Sequence, residues 1–210
     1  MAWLVSVNVG TPTVQPGSSE VTGIVKVPRS GPVMIDEAGV LGDAIMDKKH
    51  HGGPDQAVYL YLQSDYDWWM DELGVALEPG TFGENLTIGG VDGAALAIGD
   101  RLTIGDAVVE LTSHRTPCAT FARRMRDPRW VRRFAKALRP GAYARVLEAG
   151  IVEAGMDLDY APFSGERVTM AEFMALDGLR EVPEPMMRRI LATPVHMKTR
   201  AEFEAALGDR

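Results

Sequence analysis

The chain has 210 residues, 46% of them hydrophobic and 24% charged, and its 29 acidic residues against 22 Lys and Arg give a net charge of -7. That length fits one domain with an appendage or two small domains, and the acidic balance argues against a general nucleic-acid coat or a membrane-surface binder. No apolar run approaches the roughly 20 residues that span a bilayer. The start, Met1-Ala2-Trp3-Leu4-Val5, lacks a charged leader, so no signal peptide is expected. A single cysteine, Cys118, allows no internal disulfide and agrees with a cytoplasmic location.

Ala2–Val9, a run of Val, Leu and Trp bounded by Gly10 and Pro12, predicts a strand. Thr11–Glu20, with two Pro and two Ser, predicts a loop. Val21–Val27 alternates apolar and polar positions and stops at Pro28-Arg29-Ser30-Gly31-Pro32. This predicts a strand and a turn, with Val33–Ile35 returning as its hairpin partner. Gly39–Asp55 is Gly-rich and charged, carries Lys48, Lys49, His50 and His51, and predicts a long surface loop of the kind that is often functional. Ala57–Leu62 predicts a strand. Ser64 with Asp67 three residues on reads as a capping box, and Gly74 as the stop of a helix anchored by Trp68 and Trp69. Pro79–Asn85 is a second Gly-rich loop, leading into a strand at Leu86–Ile88. Arg101–Ile104 and Ala107–Thr112 predict a hairpin around Gly105-Asp106. Short strands dominate as far as Thr112, which favours a β-barrel or sandwich over a doubly wound α/β fold.

After Cys118 the pattern turns helical. Thr120–Met125 and Arg129–Leu138 predict helices, the second with Trp130, Phe134 and Leu138 as an apolar stripe. Tyr143–Leu147 and Met156–Tyr160 predict two closing strands. Pro162–Arg167 is the best boundary, dividing a β-rich domain over 1–163 from a helical extension over 164–210. Thr169 with Glu172 and Thr199 with Glu202 read as capping boxes, with a middle helix over Pro185–Leu191. Helices this short need a surface to dock on. They are expected to form an appendage or a dimerisation element, which makes a homodimer one expected state.

Three roles are open to Cys118 on residue type alone: nucleophile, soft-metal ligand, or small buried apolar group. Its place at a strand-to-helix corner, after Pro117 and near Arg115 and Arg123, favours a thiolate. A Cys–His dyad with His114 or His51 would make a hydrolase or transferase. His114 is read as structural. His50 and His51 are adjacent, point opposite ways in an extended segment and do not chelate one ion. No HExxH or paired CxxC occurs, which argues against a zinc hydrolase. Between Arg123 and Arg139 stand eight basic residues and one acid, Asp127. Most read as a solvated helix face, with one or two placed to hold an anion. Glu84-Asn85 after Gly83 reads as a turn and cap.

His51-Gly52-Gly53-Pro54-Asp55-Gln56-Ala57-Val58, Phe82-Gly83-Glu84-Asn85-Leu86-Thr87, Ile98-Gly99-Asp100, Arg115-Thr116-Pro117-Cys118 and Tyr143-Ala144-Arg145-Val146 together resemble the MOSC domain, the C-terminal domain of molybdenum cofactor sulfurases. The resemblance runs from about Val21 to Pro162, and the helical tail is similar to the extension of bacterial stand-alone members. It implies an α+β, mainly β barrel and a molybdopterin-type molybdenum cofactor; pyridoxal phosphate is not expected. It further implies reduction of N-hydroxylated compounds such as hydroxylamino-purines, amidoximes and hydroxylamines, with electrons from a separate donor protein. The alternative within the family is a non-catalytic carrier of cofactor or sulfur. By motif position the resemblance makes Cys118 the ligand to molybdenum and puts Arg115 beside it as a catalytic residue. His51, Gly52, Gly53, Glu84, Asn85 and Thr87 would line the cofactor or substrate cleft, and Lys48, Lys49 and Arg123 would meet the cofactor phosphate. No nucleic-acid or membrane partner is implied. Gln56 stands where many members carry Lys, and Ala142 where a bulky aromatic precedes the tyrosine.

Overall fold

A computed structural model describes residues 1–46 and 52–208. In chain order the strands are β1 (Ala2–Gly10), β2 (Thr13–Val14), β3 (Val21–Thr22), β4 (Lys26–Pro28), β5 (Val33–Asp36), β6 (Gly39–Val40), β7 (Val58–Leu62), β8 (Leu86–Gly89), β9 (Arg101–Ile104), β10 (Ala107–Ser113), β11 (Ala142–Glu148), β12 (Gly150–Val152) and β13 (Asp157–Ala161). The helices are α1 (Gln63–Leu73), α2 (Ala119–Arg124), α3 (Trp130–Ala137), α4 (Met170–Met174), α5 (Glu184–Leu191) and α6 (Met197–Gly208). Seven strands close a barrel in the order β1-β8-β7-β11-β10-β9-β13, and β13 returns to β1 through Ala2↔Leu158 and Trp3↔Asp157. The expected barrel is thus present, as a mixed one: β7 and β8 are parallel and the other barrel pairs antiparallel. A parallel pair needs a crossover connection, and α1 supplies it.

Strand β7, Val58-Tyr59-Leu60-Tyr61-Leu62, shows how this sequence builds two cores. All five residues are buried. Successive side chains face opposite ways, so Val58, Leu60 and Leu62 enter the aliphatic barrel interior, while Tyr59 and Tyr61 join an aromatic cluster under α1, α2 and α3. In that cluster Trp69 Nε1 donates to Tyr61 Oη at 2.8 Å, and Tyr61 donates in turn to the Arg139 carbonyl at 3.0 Å. Each ring therefore buries its apolar body without stranding its polar tip.

Several local expectations differ. β5 pairs with β6 and β12 rather than returning on β4. The Gly31-Pro32 turn signal is local, whereas β12, which the sequence pattern misses, arrives from far along the chain. Val21–Val27 is broken between β3 and β4 because Gly23 is a crossing point. A Cβ there would lie 1.7 Å from the Ala44 carbonyl oxygen, and one on Gly10 would lie 2.0 Å from that of Gly23. Ser64 caps nothing: it donates to the Val91 carbonyl and accepts from Gly93 N, and α1 starts at Gln63 without a side-chain cap. Gly74 ends α1 in the left-handed conformation as expected. Leu138 likewise takes φ 52° as the C-cap of α3 and is exposed, leaving Trp130 and Phe134 as the buried stripe. Thr169 and Glu172 form a full capping box, but Thr199 lies inside α6.

The tail helices pack onto the barrel. Val168, Met170, Phe173, Met187, Ile190, Val195 and Phe203 belong to the same aliphatic core as the strands. Two buried carboxylates tie the junction. Asp100 accepts from Ala97 N (2.8 Å), Tyr160 Oη (2.5 Å), Phe163 N (2.8 Å) and Arg167 Nη1 (2.6 Å). Asp55 accepts from Met197 N at the start of α6 (2.6 Å) and pairs with Arg145 of β11 (2.9 Å). No helix among the described residues is long and apolar enough to cross a membrane.

Candidate functional site

A cleft of about 340 Å³ opens where the end of β10, the start of α2 and the β3–β4 crossing meet. Strand β10 ends at Ser113, and the chain then runs extended through Pro117 to Cys118, the N-cap residue of α2. This corner delivers both Arg115 and the half-buried Cys118 to the cleft. Arg115 is only 4% exposed. Its Nη1 donates to the Phe82 carbonyl, and its guanidinium packs over the rings of Tyr59 at 5.2 Å and Phe121 at 4.6 Å. Its buried Nε has no partner among the described residues. Cys118 lies close enough for its charge to act on both Arg115 and Tyr143.

The opposite wall carries residues that sequence reasoning missed. Lys26 and Asp43 form a buried ion pair. Burial pulls the Lys26 ammonium below its usual value, while Asp43, and at longer range Glu84, work against that. Asn85 Nδ2 donates to Asp43 Oδ2 at 2.9 Å and to the Asn8 carbonyl at 3.3 Å, and Asn85 Oδ1 accepts from Tyr59 N at 3.2 Å. The Asn85 amide therefore braces the cleft wall. Gln56, Tyr59 and Tyr143 complete it. No local pattern marks Lys26, which sits among Val and Ile; it is recognisable only once Asp43 folds against it.

Of the site residues expected from sequence, Gly52, Asn85, Arg115, Cys118 and Arg123 share this cleft, with Arg123 at its rim paired to Glu20. Gly53 is not among its lining residues. Lys48, Lys49 and His51 lie outside the described residues, as does His50. Glu84 and Thr87 are not at the cleft surface but buried behind it. Thr87 on the buried strand β8 and Glu84 in the loop before it are both sealed from solvent, and Glu84 Oε1 accepts from Tyr66 Oη (2.7 Å), Gly80 N (2.6 Å) and Thr87 Oγ1 (2.8 Å). His114 is not among the cleft's lining residues, and its Nε2 lies 3.1 Å from Asp177 Oδ2.

Burial raises the Glu84 carboxyl above its usual range, and the donors to Oε1 offset this only in part. With a folded pKa above the unfolded value of about 4.3, the native state keeps this proton to higher pH than the unfolded chain. Stability therefore falls as pH rises from the unfolded value through the folded one. Glu84→Gln is expected to flatten that fall, measured as urea midpoints across the acid-to-neutral range; an unchanged slope would exclude a protonated buried Glu84.

Among the described residues no group of three or more His, Cys, Asp or Glu is placed to hold a metal ion. A metal at Cys118 would have to bring its other ligands with it. The donor set here is one soft thiol, a buried guanidinium with an unpartnered nitrogen, and Arg123 at a rim it shares with Glu20, which fits an anionic organic ligand carrying a thiophilic metal. That is the chemistry of a molybdopterin-type cofactor, and the residues present fit it.

Comparison with known proteins gives matches over most of the chain. A family model described as "MOSC domain" matches residues 47–159. The YflK protein of Bacillus subtilis is 35% identical over 158 residues, covering 74% of this chain and 72% of its own. The YiiM protein of Escherichia coli is 34% identical over 46% of this chain and 45% of its own. A Gibberella moniliformis protein named "Reductase" is 32% identical over 66% of this chain but only 25% of its own. The crystal structure of YiiM from Geobacillus stearothermophilus superposes with a TM-score of 0.80 at 24% identity, covering 98% of both chains, which is a likeness of fold.

Proposed function

The chain belongs to the MOSC domain family, and from that membership we propose that it is a molybdenum-cofactor oxidoreductase that reduces N-hydroxylated compounds to amines. The observation that carries this reading is the cleft that joins the protein's one thiol, the buried Arg115 and, at the rim, Arg123. The substrate class is that of hydroxylamino-purines, amidoximes and hydroxylamines. Cleavage of their N–O bond consumes two electrons and two protons and yields the amine and water. The cofactor supplies a metal centre that exchanges those electrons.

The chain's own residues supply the rest. Cys118 Sγ would be the protein ligand to that metal, with the Arg115 guanidinium beside it. Arg123 at the rim offers positive charge to the cofactor phosphate. Tyr59 and Tyr143 give the cleft aromatic walls against which a flat heterocycle can stack. Asn85 and Asp43 hold Lys26 in place, so that Nζ presents a proton at the cleft wall.

The test is protein made in a host that synthesises the cofactor, assayed for bound molybdenum and pterin and for reduction of N-hydroxylated adenine by a chemical donor. Equimolar molybdenum and pterin with amine formation is the expected result. Absence of both from protein with Cys118 intact would overturn the reading.

A further inference from the structure

Two observations converge on the outer face of α2 and α3. The first is charge. Between Arg123 and Arg139 there are eight basic residues and one acid, whereas the rest of the chain carries twice as many acids as bases. Three of the eight meet carboxylates: Arg123 with Glu20, Arg129 with Asp127 and Arg139 with Asp65. Arg124, Arg126, Arg132, Arg133 and Lys136 have no ion pair among the described residues. From the N-cap Arg129 along α3, Arg129, Arg132, Arg133 and Lys136 recur at helical spacing, away from the buried Trp130 and Phe134. Arg132, Arg133 and Lys136 are all exposed.

The second observation is what lies beneath. Arg133 covers the Trp130 ring at 5.4 Å, Trp130 meets Phe121 at 6.0 Å, and Phe121 meets Arg115 at 4.6 Å. Arg115 in turn packs on Tyr59, which lines the cleft. A continuous packed path therefore runs from the basic face to the corner that holds Cys118. Beside the face, a groove of about 1000 Å³ lies between Pro16, Val25 and α2, and Arg123 lines both this groove and the cleft.

We propose that this face is the docking surface for an acidic electron-donor protein, one that carries a flavin, haem or iron–sulfur group. The inference rests on the reductase reading, since that reaction takes two electrons from outside. Two electrons enter over the packed path for each N–O bond cleaved, from one oxidised two-electron donor or from two successive molecules of a one-electron donor, and two protons complete the amine and water. Complementary charge sets encounter rate and orientation and is weakened by salt.

The test uses an acidic plant-type [2Fe–2S] ferredoxin as probe and R132E/K136E as the variant; neither residue lines the cleft. Binding is measured by titration calorimetry at low and high salt, with or without cofactor. Turnover of loaded protein is measured with reduced ferredoxin and, separately, with reduced methyl viologen. Salt-sensitive binding to wild type, weakened at least about ten-fold by the charge reversals, is expected, with the ferredoxin KM rising in parallel and viologen turnover unchanged. Equal binding by wild type and variant would overturn the docking site, even with viologen turnover intact. So would a preference for an RNA oligonucleotide, or for a second copy of the chain, over ferredoxin. Loss of viologen turnover in wild type would instead sink the reductase reading, while the binding data still decide the surface.

Discussion

Cys118→Ser is expected to abolish turnover of N-hydroxylated substrates while leaving the fold intact. Serine offers a harder oxygen donor and no readily formed anion, a poor match for a thiophilic metal. Outer partners of metal ligands are worth about 10–100-fold, and loss of the ligand itself is expected to exceed that. The measurement is molybdenum per protein together with kcat in the loaded preparation, with far-UV circular dichroism as the control for folding. The same variant separates the other readings of this residue. A carrier would bind pterin but never turn over, and wild-type protein would then carry a persulfide on Cys118, detected by mass. A Cys–His hydrolase would lose activity in a preparation that contains no metal. Wild-type turnover by the serine variant would remove Cys118 from the chemistry.

Asp100→Ala is expected to cost about 3–5 kcal/mol of stability, chiefly from two buried amides left without an acceptor at roughly 1–3 kcal/mol each, since the pair with the one-third-exposed Arg167 adds less. Its carboxylate is fully buried and gathers four segments: the Ala97 turn, β13 through Tyr160, the backbone at Phe163, and Arg167 at the head of the tail. Alanine leaves the Ala97 and Phe163 amides without their acceptor, which a buried site makes costly. In a chain of this size the loss corresponds to a fall in melting temperature on the order of 10 °C. Urea denaturation measures the loss, and hydrogen exchange should show α4–α6 opening first. A change below about 0.5 kcal/mol, the scale of an ordinary surface substitution, would mean that the aliphatic contacts alone hold the tail.

This second case shows what the motifs were legible for. Ile98-Gly99-Asp100 and Tyr143-Ala144-Arg145 read as family marks, yet Asp100 and Arg145 serve the architecture. Asp100 ties the tail to the barrel, and Arg145 links Asp55 with Glu110. Barrel strands were visible because alternation is a local signal, clearest in β7. The β5–β12 pairing was not, since no local period encodes a partner more than a hundred residues away. At the site, Cys118 and Arg115 were legible as a basic corner before a helix. Lys26 and Asp43 were not, because a lysine in an apolar run and an aspartate in a Gly-rich loop each look ordinary until they pair. Glu84 and Thr87 were placed in the cleft by the motif position of the family resemblance; both are buried behind it instead, where they bond to each other.

Barrel closure also bears on the order of folding. The β7–α1–β8 unit assembles from residues 58–89, whereas the β1–β13 seam joins residue 2 to residue 158 through only two paired positions. Loop-closure entropy makes the long-range seam the later event. Contacts made after the transition state change the unfolding rate more than the folding rate. Substitutions along Trp3 or Leu158 would therefore shorten the lifetime of the closed barrel while leaving the speed of its formation nearly untouched.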